Sequence, residues 1–230
     1  MMQLPLSVSL RDGASFSNYH AGPNVEAVHA LHELLKGGEK YIYLWGAAGT
    51  GKTHLLQAAC QVVAARGETA AYLPLMQARE ISTELLAGLE QVALVCVDDV
   101  QAIANNSEWE TALFHLYNRL RETDTRLIVA AGMPPANLAL GLSDLNSRLA
   151  SGLILQLREL SDEEKLVALR LRAHARGFEL TEEVARFLLR HCPRDMPRLF
   201  ELLQRLDHAS LANQRKVTIP FVRDLIKGHL

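Results

Sequence analysis

The stretch Gly46-Ala-Ala-Gly-Thr-Gly51-Lys52-Thr53 constrains this chain more than any other. It follows Tyr41-Ile-Tyr-Leu-Trp45, an apolar run of β-formers that predicts a buried strand. It precedes a run from His54 to Ala65 that predicts a helix. Strand, glycine-rich turn and helix form the setting in which G-x-x-x-x-G-K-[ST] makes a phosphate site. The glycines let backbone N–H groups converge on an anion with no Cβ in the way. The helix N-terminus adds partial positive charge at the same place. In this pattern Lys52 reaches the β- and γ-phosphates and the Thr53 hydroxyl holds Mg²⁺. The candidate cofactor-binding residues of the loop are Gly46, Ala48, Gly49, Thr50, Gly51, Lys52, Thr53 and His54.

A second motif lies about 45 residues further on. Leu94-Val-Cys-Val97 is a wholly apolar run, as expected of a strand buried on both faces of a parallel sheet, and it ends in Asp98-Asp99. Acids at the C-terminal edge of such a strand stand where open α/β sheets bind ligands. Asp98 is placed to hold Mg²⁺ through water, and Asp99 to orient an attacking water.

The remaining chain reads in two parts. Residues 70–75, 126–131 and 152–157 are further strand candidates. Helices are expected at 24–36, 79–89, 108–122 and 142–149, the first capped by Asn24, with Trp109 in the core and Arg148 near the end of the last. Alternating strands and helices argue for a parallel sheet covered on both faces. After Leu160 the strands stop. Ser161-Asp-Glu-Glu164 is a capping box, and helices are expected at 162–175, 182–191, 195–208 and 219–228, with a short strand as an option at 216–219. The expected organisation is an extended arm at 1–15, an α/β nucleotide-binding domain at 16–160 and an all-helical domain at 161–230. Within the arm, Gln3-Leu4-Pro5-Leu6 suits docking into an apolar groove with the leucines as anchors; an edge strand or a tail reads from the same pattern.

Composition excludes several classes. The formal net charge is −2, with 11 basic and 16 acidic residues before about residue 160 and 13 basic and 10 acidic after it, short of a DNA-binding footprint. No signal peptide and no long apolar span argues for a membrane role. Cys60, Cys96 and Cys192 are far apart and odd in number, which fits buried thiols in a reducing cytoplasm. His29 and His32 share a helix face with no further ligand cluster, so a solvated face is the expectation rather than a metal site.

A phosphate loop, an Asp-Asp strand, a later strand and a helical lid resemble the AAA+ class, and within it the nucleotide-binding domain of the bacterial replication initiator DnaA. Phe16-x-Asn18-Tyr19-x-x-Gly22 resembles the segment that lines the adenine pocket in that family, which points to Tyr19 and His20 and implies ADP or ATP as the ligand. Ser147-Arg148-Leu149 resembles the arginine-finger segment, and Arg198 in Asp195-Met-Pro-Arg198 resembles the sensor-2 arginine of the lid. The likeness is stronger still to the Hda family of DnaA-related regulators. DnaA continues into a helix-turn-helix DNA-binding domain, whereas this sequence ends at Leu230 with the lid. Gln3-Leu4-Pro5-Leu6 also resembles the peptide by which proteins dock on the bacterial sliding clamp. The resemblance implies a regulator with the clamp and DnaA as partners, with Gln3, Leu4 and Leu6 as clamp contacts and DNA reached only through the clamp. It leaves homo-oligomerisation open.

Two departures bear on catalysis. The segment matching the polar sensor-1 residue of AAA+ enzymes is Ala131-Gly132-Met133, without a polar side chain. The second acid is Asp99 where most AAA+ ATPases carry Glu. Both imply weak or absent hydrolysis at the chain's own site. A helicase loader or initiator-like DNA-binding ATPase is the alternative, and needs a basic groove or robust turnover. A P-loop kinase is a third, carried by Arg170, Arg172 and Arg176.

Overall fold

Five short runs of β-branched, aromatic and aliphatic residues form one parallel sheet in a computed structural model that describes residues 13–213 and 216–227. The strands are β1 (Tyr41–Trp45), β2 (Ala70–Pro74), β3 (Leu94–Asp98), β4 (Arg126–Ala131) and β5 (Leu153–Gln156), in the order β2-β3-β4-β1-β5. β3 is buried along its whole length, which is why it reads as an unbroken apolar run rather than an alternating one. Helix α1 (Val25–Leu35) precedes β1, and α2 (Lys52–Ala65), α3 (Ser107–Glu122) and α4 (Ser143–Leu149) lie between successive strands β1–β2, β3–β4 and β4–β5. The register sets Trp45 of β1 beside Ala131 of β4 and Val97 of β3 beside Val129. The phosphate loop and the two acids therefore leave the same edge of the sheet, with β4 between them.

Two local expectations fail. Residues 79–89 form no α-helix; they make 3₁₀ turns at Thr83–Leu86 and Leu89–Gln91. The Ser82 hydroxyl accepts from the Glu84 N–H, a local alternative to helix bonds, and Gly88 at φ 80° breaks the run. Leu86 and Leu89 still bury, against a core that includes Trp109, whose Nε1 donates to the Ala78 carbonyl at 3.0 Å. Asn24 does not cap α1. Its amide instead brackets the Arg158 main chain, donating to O at 3.0 Å and accepting from N at 2.7 Å, and so ties the start of α1 to the chain beyond β5.

Ser17–Gly22 and the chain from Glu159 onward make a second compact unit. Helices α5 (Asp162–Ala175), α6 (Glu182–His191), α7 (Met196–Asn213) and α8 (Ile219–Lys227) build it, around Leu169, Val184, Leu188, Leu199, Leu203 and Val222. The capping box of Ser161 and Glu164 forms, and Thr181 caps α6, as the sequence predicts. Residues 216–218 are not a strand. No helix among the described residues is long and apolar enough to cross a membrane.

Candidate nucleotide site

The turn between β1 and α2 is built around two glycines that nothing else can replace. A Cβ on Gly46 would lie 2.4 Å from the Leu157 carbonyl oxygen, and Gly51 precedes α2 at φ 95°. No side chain caps α2, and the partial positive charge of its N-terminus favours an anion there. Ala47, Ala48 and Gly49 form an exposed rim, while Thr50 is buried with its hydroxyl donating to Ala47 O at 2.9 Å. His54 lies in the first turn of α2, with its Nε2 2.9 Å from Ser15 O.

Lys52 is 8% exposed and its ammonium is folded into the loop, donating to Gly46 O at 2.7 Å and Ala47 O at 2.9 Å. Burial lowers its pKa, and the charges of Asp99 and Asp98 oppose that shift. A buried cation held by carbonyl dipoles at a helix N-terminus is a donor set that fits a polyphosphate.

The second half of the site is the Asp98 carboxylate, 2% exposed. Thr53 Oγ1 donates to its Oδ2 at 2.6 Å, the Tyr72 hydroxyl donates to the same oxygen at 2.8 Å, and the Asp99 N–H reaches Oδ1 at 3.1 Å. Burial raises the Asp98 pKa, and the Thr53 and Tyr72 donors pull it back. A hydroxyl and a carboxylate in contact are the oxygen ligands that suit Mg²⁺. Thr53 and Asp98 would hold it, and it would neutralise phosphate charge there.

Tyr72 is a site residue that sequence reasoning missed. It pairs with Cys96 in the β2–β3 register, which sets it on the face of the sheet that carries Asp98 two residues on. Burial and the Asp98 charge push its hydroxyl well above the usual phenol range. The available signal was a tyrosine inside an otherwise apolar strand, whose hydroxyl needs a partner when buried.

Asp99 is half-buried with a left-handed backbone, φ 56°. Arg148 lies elsewhere. It lines a narrow crevice with Tyr41, Tyr43, Leu149 and Gly152, at the start of β1 and β5, whereas the phosphate loop leaves the far end of β1. Among the described residues its guanidinium has no ion pair or hydrogen bond. Its helix is anchored by Glu110, 2% exposed, which accepts from Leu142 N at 2.7 Å and from Asn105 N at 2.9 Å. Tyr19, His20 and Arg198 belong to the helical unit. Arg198 is exposed at the start of α7, its Nε 3.7 Å from Asp195 Oδ2. Gln3, Leu4 and Leu6 lie outside the described residues.

The parallel sheet, its flanking helices and the helical unit that follows are the fold of the AAA+ class. The model of the bacterial DnaA ATPase domain matches residues 10–156, and the model of the Hda lid domain matches residues 162–226. The chain belongs to the bacterial DnaA ATPase-domain family and carries an Hda-type lid. Domain III of the Thermotoga maritima replication initiation protein DnaA shares the fold at TM-score 0.80 and 24% identity, over 94% of this chain and 96% of that one. AMPPCP-bound DnaA from Aquifex aeolicus matches at TM-score 0.70 and 26% identity, over 84% of this chain and 64% of that one. A RuvB mutant from Thermotoga maritima matches at TM-score 0.69 and 17% identity, over 95% of this chain and 72% of that one.

Two predictions come from this geometry. Lys52→Ala should abolish tight ADP binding in a calorimetric titration, while Thr53→Ala should weaken binding far more with Mg²⁺ than without it. An equal loss in both conditions would contradict the role of Thr53. Tyr72→Phe removes one donor from a buried carboxylate and should cost about 1.5–3 kcal/mol near pH 7 in urea unfolding. The donor lowers the folded-state pKa of Asp98, so this cost is fully present where Asp98 is ionised. It should shrink as pH falls through that pKa, as read near pH 7 and near pH 4. A cost independent of pH would contradict the assignment.

Proposed function

We propose that the chain is a negative regulator of replication initiation that binds an adenine nucleotide with Mg²⁺, docks on the sliding clamp, and presents Arg148 to ATP held by a neighbouring DnaA. The observation that carries this reading is the position of Arg148. It stands at the opposite end of β1 from the chain's own phosphate loop, without an ion-pair partner among the described residues, on a helix fixed by Glu110. A guanidinium so placed is of no use to the loop after Trp45 and is available to a second molecule. Supplied in trans, it neutralises charge that develops on the γ-phosphoryl group as water attacks phosphorus and the bond to the β–γ bridging oxygen breaks, an effect worth roughly 10³–10⁵ in rate for GTPase fingers.

The nucleotide of the chain itself then serves the regulatory state of the protein. Turnover at this site is slow because Gly132 and Met133 offer no polar side chain. The arm residues Gln3, Leu4 and Leu6 hold the clamp, DNA is met through the clamp, and the setting is the cytoplasm.

The test is hydrolysis of DnaA-bound ATP, measured with and without clamp loaded on DNA. Arg148→Ala should abolish stimulation and leave clamp binding intact. Gln3→Ala with Leu4→Ala and Leu6→Ala should lose clamp binding and stimulation together while keeping nucleotide binding, since such anchors cost upwards of about 2 kcal/mol each. Undiminished stimulation by the Arg148 variant would overturn the reading. A DNA gel shift by the chain alone would favour the initiator-like alternative.

A further inference from the structure

The 3₁₀ turn Val100–Ile103 that follows β3 carries a glutamine whose amide is used at both ends. Gln101 Nε2 donates to Asp99 Oδ1 at 2.9 Å, and Gln101 Oε1 accepts from the Gly132 backbone N–H at 3.1 Å. The two bonds fix the amide's orientation, because a flip would set oxygen against carboxylate and NH₂ against N–H. Asp99 needs such a restraint: its φ of 56° is unfavourable for a residue with a Cβ and persists only where the surroundings enforce it. Gly132 directly follows Ala131, which pairs with Trp45 and accepts from the Gly46 N–H at 3.3 Å. The bridge thus runs from the acid after β3 to the end of β4, next to the phosphate loop. Packing does not demand a glycine at 132. A Cβ there would meet nothing within 4 Å, and its φ is not left-handed. A polar side chain has room at this position and the sequence supplies none.

We propose that Gln101 is the positioning residue of the nucleotide site: it holds the Asp99 carboxylate in place and supplies, at the end of β4, the polar link that Gly132 has no side chain to make. The inference rests on the reading of Asp99 as the group that orients water. In that reaction a water oxygen bonds to the γ-phosphorus, the bond to the β–γ bridging oxygen breaks, and the products are ADP and inorganic phosphate, with one proton released to solvent. Gln101 touches neither water nor nucleotide; it acts through Asp99.

Three variants test it. Gln101→Met keeps the length and removes both bonds. Gln101→Glu keeps the acceptor for Gly132 but sets a second carboxylate against Asp99. Asp99→Asn is the control for the water-orienting role. Calorimetric affinity for Mg²⁺–ADP should stay within about twofold of wild type in both Gln101 variants, as expected when ground-state binding is untouched. Hydrogen exchange at the Gly132 amide should speed at least ~10-fold in Gln101→Met and stay slow in Gln101→Glu, because only the first loses the acceptor. Single-turnover cleavage of bound ATP should fall at least ~10-fold in both. The proposal is overturned if either Gln101 variant cleaves at the wild-type rate, if Gly132 exchange is the same in all chains, or if affinity falls in step with rate. Absence of any cleavage by the wild-type chain above the solution background also overturns it. Wild-type cleavage by Asp99→Asn overturns it too, and places the failure in the role of Asp99 rather than in Gln101.

Discussion

The 2.6 Å contact between Thr53 Oγ1 and Asp98 Oδ2 is what the nucleotide site depends on. It joins the first turn of α2, the helix that follows β1, to the last residue of β3, and β4 separates those two strands in the sheet. Around it the fold accepts two unfavourable burials, the ammonium of Lys52 and the carboxylate of Asp98. Burial disfavours the charged form of both, as the lowered Lys52 and raised Asp98 pKa values show. A chain selected for stability alone would fill these positions with apolar side chains. Keeping them charged, with carbonyl and hydroxyl partners in place of a direct ion pair, leaves both groups available to a ligand that carries phosphates and a divalent cation.

The same sheet separates two chemistries. Strand β1 delivers the phosphate loop at its C-terminal end, while the crevice that Arg148 lines opens at its start. This separation follows from parallel topology: every strand enters at one edge and leaves at the other, so a residue just before β5 cannot share an edge with the loop after β1. Glu110 makes the separation rigid, since one buried carboxylate holds both Asn105, in the turn after the acids, and Leu142, at the start of α4.

Much of this was legible in the residues. The phosphate loop, the Asp-Asp strand and the change to helices after Leu160 are set by short-range rules, namely glycine geometry, an unbroken apolar run and a capping box. What was not legible depends on contacts distant in the chain. Nothing near Asn24 says that its amide will serve Arg158 rather than α1, because capping and a tertiary bond compete for one side chain. Residues 79–89 have helical composition but a serine hydroxyl and a left-handed glycine that win locally. Tyr72 and Gln101 became site residues only once the register of β2 on β3 and the turn after Asp99 were known.

Occupancy of the loop and the two acids by a nucleotide with its metal can be read from stability. The most direct measurement is thermal unfolding of the wild-type chain as ADP is raised in the presence of Mg²⁺. Binding to the folded state alone stabilises by RT ln(1 + [L]/Kd), about 2.7 kcal/mol at a hundredfold excess over Kd. The melting temperature should climb with the logarithm of ADP concentration, and climb less when the metal is chelated. A melting temperature indifferent to ADP up to millimolar concentration would contradict it.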